Sequence, residues 1–225
     1  MSSTDFESVS SFSDTAPRIR RPRMGESESG RATYERIKRV FDIVFCVLVA
    51  PAALLAVAVA GLAIAVSMGR PIFFCAPRVG RNGRTFQMVK LRTMRPDDGQ
   101  RMTATLKGDP RITPFGKLLR QSHIDELPQL WNIFIGHMTL IGPRPEQPHL
   151  VDHYRERIPN YDLRHMVTPG LSGWSQVCFG YATDVAETAK KLSYDIEYID
   201  RLGPKIDLLI LWKTLCVYLN PNYVR

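Results

Sequence analysis

The longest apolar run in this chain extends from Ile43 to Gly69 and contains no charged residue. As a single helix its 27 positions would measure about 40 Å, whereas the hydrocarbon core of a bilayer is about 30 Å thick. A helix buried inside a soluble domain seldom needs this length. The run therefore predicts a segment that enters a membrane.

The residues that flank this run, and one proline inside it, indicate whether it crosses the membrane or returns to the same side. Three of residues 36–39 are basic, and four arginines follow between residues 70 and 84. Basic flanks favour the cytoplasmic side, and Pro51 interrupts the helical hydrogen-bond ladder. We therefore predict that residues 34–70 form a re-entrant helix-break-helix, with the break at Ala50-Pro51 and both ends cytoplasmic. A single tilted span is the alternative that the pattern leaves open.

The remaining pattern predicts a small mixed domain over residues 71–220. Two strand-like segments, near Ile72 and at Thr85–Leu91, flank Asn82-Gly83, the strongest short signal for a hairpin. Helical periods and their start and stop signals fall at 114–120, 128–135, 185–202 and 206–219. The last of these is either part of the core or a helix at the membrane surface.

The expected fold class is therefore α+β and mostly helical. It combines an N-terminal re-entrant membrane helix with a small cytosolic domain that contains a β-hairpin and interfacial amphipathic helices. Residues 1–33 are predicted to form a disordered tail, because the first thirty include eight serines and few large apolar side chains. Residues 221–225 are predicted to form a short C-terminal tail.

Composition narrows the classes of partner. The 225 residues carry a net charge of +8, which suits anionic lipid, phosphorylated small molecules or nucleic acid. The four cysteines lack C-x-x-C spacing, so zinc and thioredoxin-like sites have little support. We interpret them as reduced cysteines of a cytosolic domain.

The candidate chemistry lies in an acidic pair and a later arginine. Asp125 and Glu126 are adjacent, and Arg144 stands between two prolines. Two carboxylates can hold a hard cation and leave an oxygen to attack phosphorus, while a stiffly held arginine is a fork for phosphate oxygens. A helix starting at Pro128 would keep both carboxylates ionised through its dipole. An isolated acidic pair is more often a helix cap, but together with Arg144 it predicts phosphoryl chemistry.

Seven ordered motifs give the chain a resemblance to a known family. The most specific reads Asp-Glu-Leu-Pro-Gln-Leu-Trp-Asn at 125–132, and the others lie at 38–42, 78–83, 90–94, 109–113, 142–145 and 169–176. Together they resemble the monotopic phosphoglycosyl transferases, bacterial sugar transferases that begin polysaccharide and glycoconjugate assembly. The resemblance extends from Lys38 to about Leu219.

The resemblance implies a reaction at the cytoplasmic face of the bacterial inner membrane. A sugar 1-phosphate would pass from a UDP-sugar to polyprenyl (undecaprenyl) phosphate, giving polyprenyl diphosphate sugar and UMP through a covalent phosphosugar-aspartate. This would be the first membrane step of exopolysaccharide or glycoconjugate synthesis. The sugar is not identified, and a homodimer is a further candidate partner.

The resemblance also implies roles for particular residues. Asp125 would be the nucleophile, and Glu126 would help it to hold Mg²⁺. Basic groups that match the site of the family would bind phosphates; they are Lys90, Arg92, Arg120 and Arg144. Asp195 and Gln176 would be candidate substrate contacts.

The chain departs from the pattern of the family at the membrane break. Family members commonly have Ser-Pro there, whereas this chain has Ala50-Pro51. The proline is retained, but a serine hydroxyl that could bond back to the helix is not. The alternative function is a non-catalytic, membrane-anchored basic scaffold that binds anionic lipid or nucleic acid. No interleaved aromatic and basic platform for bases is present, so nucleic acid is not an expected partner.

Overall fold

The structure is a computed structural model that describes residues 28–95, 109–180, 182 and 184–219. It begins with α1 (Glu28–Met68), a 41-residue helix that includes Pro51. The predicted boundary of the N-terminal tail at residue 33 falls inside this helix. The rest of that tail and residues 221–225 lie outside the described residues.

Helix α1 presents a long apolar surface. The stretch Gly30–Met68 is long and apolar enough to cross a membrane. Its large side chains are widely exposed, with Leu48 at 74% and Val66 at 81%. A continuous exposed apolar surface is characteristic of membrane or partner contact. The helix continues without interruption through Ala50-Pro51, so the predicted break is not seen there. The re-entrant path stays a prediction.

The predicted β-hairpin is confirmed. Strands β1 (Phe73–Val79) and β2 (Thr85–Leu91) pair antiparallel, with Phe73 opposite Leu91 and Val79 opposite Thr85. They are joined by a 3₁₀ turn in which Asn82 adopts a positive φ of 55°. Asparagine tolerates this left-handed conformation better than most residues, which is why the Asn-Gly signal located the turn.

The remaining elements form the helical part of the domain. They are α2 (Pro114–Gln121), α3 (Gln129–Phe134), β3 (Thr139–Ile141), α4 (Pro148–Arg155), β4 (Gly170–Ser172), α5 (Trp174–Cys178), α6 (Val185–Asp200) and α7 (Pro204–Leu219). The four predicted helices are therefore present as α2, α3, α6 and α7. The α+β, mostly helical fold class is confirmed.

Strands β3 and β4 form a short parallel pair that the sequence pattern did not reveal. Thr139 pairs with Gly170, and Ile141 pairs with Ser172. A Cβ on Gly170 would lie 2.1 Å from the backbone nitrogen of Gly142, so only glycine permits this approach of the two chains. The pair brings the segments around residues 142 and 170 side by side.

Helix α7 belongs partly to the core and partly to the surface. Ile206 and Ile210 are buried in the main apolar core, whereas Leu208, Trp212 and Leu215 are exposed. The sequence left open whether this helix belongs to the core or lies at the membrane surface; one side of it is in the core and the other is exposed. Its exposed apolar side suits the interfacial role that the fold prediction expected.

Both ends of the apolar run are attached to the same domain. Near its start, Arg39 Nη2 donates to Phe134 O at 2.7 Å. At its end, Arg92 Nη2 donates to Met68 O at 2.7 Å and to Gly69 O at 2.6 Å. A small apolar cluster that includes buried Ile64 also joins α1 to the hairpin and to α2. The apolar helix is thus fixed to the domain at both ends.

Candidate active site

The acidic pair lies in a 3₁₀ turn, Ile124–Glu126, between α2 and α3. Thr113 caps the start of α2, because its Oγ1 accepts a hydrogen bond from Gly116 N at 2.9 Å. His123 has a positive φ of 55° and ends the helical path of α2. The turn therefore follows α2 directly and presents Asp125 and Glu126 to strand β2.

Glu126 is the acceptor at the centre of the site. Its Oε1 lies 2.6 Å from Lys90 Nζ and 2.5 Å from Arg144 Nη2. Arg144 Nη1 also lies 3.5 Å from Oε2. The structure thus brings together a residue of β2, a residue of the turn and a residue of the loop after β3. Two predicted phosphate-binding residues meet one predicted metal ligand.

Charge and burial set the protonation of this cluster. Burial by itself would raise the pKa of Glu126, but Arg144 and Lys90 hold that pKa well below its usual range. Burial lowers the pKa of Lys90, and repulsion from Arg144 acts in the same direction, while Glu126 opposes both. Glu126 is therefore an anion held by two cations, and one of these cations is partly desolvated.

Asp125 has a different environment. It is 7% exposed, and burial raises the pKa of its carboxyl group, with Lys90 acting in the opposite direction and Glu126 adding to the rise. Burial therefore opposes the ionisation that the sequence predicted for Asp125, and the nearby cations favour it; the ionised nucleophile stays a prediction. A buried carboxylate beside cations is typical of a functional site.

Two glycines fix the backbone of the arginine loop. A Cβ on Gly142 would lie 2.6 Å from Thr168 O, and a Cβ on Gly173 would lie 2.3 Å from Gly142 O. Gly142 N also donates to Ser172 O at 2.8 Å. Because no side chain fits between these segments, the backbone that leads from β3 to Arg144 has a defined direction.

Arg120 and Gln176 lie near the cluster. Arg120 Nε donates to Thr93 Oγ1 at 2.8 Å, and its charge is one of those that lower the pKa of Asp125. Gln176 Nε2 lies 3.4 Å from Leu171 O, the same carbonyl that Arg144 Nη1 contacts at 3.4 Å. The structure therefore brings both residues towards the predicted site.

Arg92 does not join the cluster. It is 6% exposed, and besides the two bonds at the end of α1 its Nη1 donates to Arg70 O at 3.2 Å. These three carbonyls occupy the guanidinium group and fix the chain that leaves α1. We therefore leave Arg92 out of the phosphate-binding group and assign it a structural role.

Asp195 is also placed differently from its prediction. It is 1% exposed, and its Oδ2 lies 2.8 Å from Arg164 Nη2. A side chain enclosed in this way has no surface for a substrate, so a direct substrate contact is not supported. Sequence reasoning missed its partner Arg164, because an arginine in the short 3₁₀ helix Tyr161–Met166 carries no local signal of burial.

The acidic pair offers a modest set of metal ligands. Among the residues that the structure describes, no group of three or more His, Cys, Asp or Glu side chains could hold a metal ion. Mg²⁺ is usually bound through one or two carboxylates, with waters and substrate phosphates completing its shell. Asp125 and Glu126 fit that kind of site, although Lys90 and Arg144 already contact one oxygen of Glu126.

The fold and the site together combine a long apolar helix with a small domain in which a buried carboxylate lies beside an acidic neighbour and its cations. The family model described as bacterial sugar transferase matches residues 33–221. The chain therefore belongs to the bacterial sugar transferase family, and the resemblance inferred from its motifs is confirmed.

Individual relatives support the assignment. A UDP-N-acetylgalactosamine-undecaprenyl-phosphate N-acetylgalactosaminephosphotransferase of Aeromonas hydrophila is 40% identical over 183 residues, 81% of this chain and 43% of the relative. A UDP-glucose:undecaprenyl-phosphate glucose-1-phosphate transferase of Caulobacter vibrioides is 37% identical over 188 residues, 82% of this chain and 70% of the relative. An exopolysaccharide production protein PSS of Rhizobium leguminosarum is 34% identical, covering 80% of this chain and 93% of the relative.

Length differs among these relatives. The chain spans 43% of the Aeromonas hydrophila protein and 32% of a UDP-glucose:undecaprenyl-phosphate glucose-1-phosphate transferase of Xanthomonas campestris. The region in common is therefore less than half of those two proteins.

Proposed function

We propose that this protein transfers a sugar 1-phosphate from a UDP-sugar to undecaprenyl phosphate, giving undecaprenyl diphosphate sugar and UMP. The observation that carries the proposal is the contact of Lys90 and Arg144 with Glu126, directly beside the buried carboxylate of Asp125. The names of two relatives supply the substrate class, since the Aeromonas hydrophila and Caulobacter vibrioides proteins are named for a UDP-sugar and undecaprenyl phosphate.

The chemistry proceeds in two displacements at phosphorus. An oxygen of Asp125 attacks the sugar-bearing phosphorus of the UDP-sugar, and the bond from that phosphorus to the oxygen of UMP breaks. UMP leaves, and the sugar phosphate remains on Asp125. A phosphate oxygen of the lipid then attacks the same phosphorus, which releases the free carboxylate and the diphosphate product.

Cations make this attack feasible. The nucleophile and both substrates are anionic, so their repulsion must be offset at the site. Lys90 and Arg120 supply fixed positive charge near Asp125, and Arg144 supplies it at the adjacent Glu126. Mg²⁺ held by Asp125, Glu126 and substrate phosphates would supply further charge neutralisation when bound.

The attachment of α1 supports the re-entrant topology and a cytoplasmic-face location at the bacterial inner membrane. Arg39 and Arg92 tie opposite ends of the apolar run to one small domain. A helix that crossed the bilayer would separate these ends by about 30 Å of hydrocarbon. Same-face ends would let a cytosolic nucleotide sugar and a lipid phosphate meet at one interface.

The proposal is tested by UMP release from the protein in lipid nanodiscs with undecaprenyl phosphate, Mg²⁺ and a panel of UDP-sugars. Asp125→Asn is the test variant, and Asp152→Asn, at an exposed carboxylate, is its matched control. We expect release that depends on the lipid, on one or a few donors and on Asp125. Membrane binding by folded protein without release from any donor would instead favour the scaffold function.

A further inference from the structure

The loop that carries Arg144 is held through its carbonyl groups. Gly170 N donates to Pro143 O at 2.9 Å, and Val79 N donates to Glu146 O at 2.9 Å. These two bonds hold the ends of the segment from 143 to 146 to β4 and β1.

The two middle carbonyls of the loop accept hydrogen bonds from arginine side chains. Arg164 Nη2 donates to Arg144 O at 2.9 Å, and Arg78 Nη1 donates to Pro145 O at 3.3 Å. Each carbonyl from 143 to 146 therefore has a donor from another part of the domain. The backbone at Arg144 is preorganised rather than left to adapt.

Arg164 is itself fixed by a buried partner. Arg164 is 4% exposed and Asp195 is 1% exposed, and Nη2 lies 2.8 Å from Oδ2. Arg164 Nη1 also donates to Tyr161 Oη at 2.8 Å. A buried ion pair adds little to stability compared with apolar side chains of similar volume, because both charges lose their hydration. Its presence directly behind Arg144 therefore calls for a role beyond stability.

We propose that Arg164, held by Asp195, is a positioning residue that fixes the backbone of Arg144 so that its guanidinium group reaches the phosphate-binding cluster. Only a planar guanidinium group can neutralise Asp195, bond Tyr161 and still donate to Arg144 O. The phosphate part of this inference rests on the proposed function; the positioning of Arg144 does not.

The test removes both buried charges together. Removing one partner alone would leave an unpaired buried charge and unfold the protein, so the test variant is Arg164→Met/Asp195→Leu. UMP release would be measured as kcat and KM in four proteins: wild type, the pair variant, Arg144→Ala, and the combination of the two. Arg155→Met, at an exposed ion pair, is the control.

We expect Arg144→Ala to reduce kcat/KM by about 100-fold in the wild-type background, because removal of one preorganised hydrogen-bond donor from an active site has an effect of that size. In the pair variant the same substitution should reduce it by less than about tenfold, because Arg144 is no longer held in place. Equal losses in both backgrounds, or a pair variant as active as wild type, would overturn the proposal. Should the pair variant not fold, Arg164→Lys, which keeps the charge but not the fork, replaces it.

A second measurement needs no turnover. Hydrogen exchange would follow the amides of Gly142 and Val79, which donate to Ser172 O and Glu146 O. We expect exchange at least about tenfold faster in the pair variant than in Arg155→Met, corresponding to about 1.4 kcal/mol of lost protection. Unchanged exchange would refute the positioning role even if the protein had a different activity.

Discussion

Arg144 and Glu126 form an ion pair in which Nη2 lies 2.5 Å from Oε1. Lys90 contacts the same oxygen at 2.6 Å. The cations that would bind a diphosphate therefore already neutralise a carboxylate of the protein. If Lys90 and Arg144 bind the substrate phosphates as proposed, we expect Glu126 to compete with the substrate for them.

Glu126→Gln tests this competition. Without the carboxylate, Lys90 and Arg144 should bind an anion more readily, so we expect UDP to bind about tenfold more tightly, or about 1.4 kcal/mol. Turnover should fall, because the predicted metal ligand is lost. Titration calorimetry with UDP in the absence of Mg²⁺ measures the affinity. Glu156→Gln, at an exposed position, is the control, and weaker binding by Glu126→Gln would contradict the competition.

Asp125→Asn should separate activity from stability. Burial raises the pKa of Asp125 above its unfolded value, so the stability contributed by this group is present at low pH and is lost as the pH rises through the folded pKa. Ionisation of this buried side chain therefore disfavours folding. We expect Asp125→Asn to lower turnover more than about a thousandfold while Tm stays the same or rises. Thermal unfolding alongside UMP release checks both, and a marked fall in Tm would show that the carboxylate is structural.

The pH dependence of turnover should report the same group. If ionised Asp125 is the nucleophile, kcat/KM must rise with pH through its raised pKa and then level off. Lys90 is one of the cations that lower this pKa. In Lys90→Met the rising limb should therefore move to higher pH, whereas Arg155→Met should leave it in place. A limb that does not move would exclude Asp125 as the titrating group.

Arg92 gives a prediction about stability. Its donors bind the carbonyls of Met68, Gly69 and Arg70, so Arg92→Met should destabilise the folded protein by about 2–4 kcal/mol. Among molecules that remain folded, KM for the UDP-sugar should be nearly unchanged. Unfolding midpoints and initial rates distinguish the structural role of Arg92 from the phosphate-binding role predicted from the sequence. A phosphate-binding role would require a higher KM at unchanged Tm.

The path of α1 can be tested by labelling single cysteines in sealed cells. Cys75 is exposed and would first be replaced by serine. Probe cysteines at Arg36 and Arg70 would then flank the apolar run. Because Arg39 and Arg92 attach both ends of the run to one domain, we expect that a membrane-impermeant reagent labels neither probe from outside but labels both after permeabilisation. Labelling of only one probe in intact cells would establish a transmembrane span.

Several elements of the fold could be predicted from the sequence because they depend on interactions between residues close together in the chain. Asn82-Gly83 located the hairpin because few residues adopt its backbone conformation, and the helical pattern at 114–120 located α2 because periodicity is a local property. The apolar run located the long helix α1 because its length exceeds what a bilayer requires. The motif at 125–132 located the acidic pair, but it did not reveal the burial that raises the pKa of Asp125, since burial is a tertiary property.

The sequence determined which groups are available for phosphate chemistry: two adjacent carboxylates, a lysine and several arginines. The tertiary structure decided which of them meet. It brought Lys90 and Arg144 onto Glu126, turned Arg92 towards the end of α1, and enclosed Asp195 with Arg164. Such contacts join residues far apart in the chain. They depend on how helices and strands pack. Strands as short as β3 and β4 have too little periodicity to be predicted from the sequence pattern.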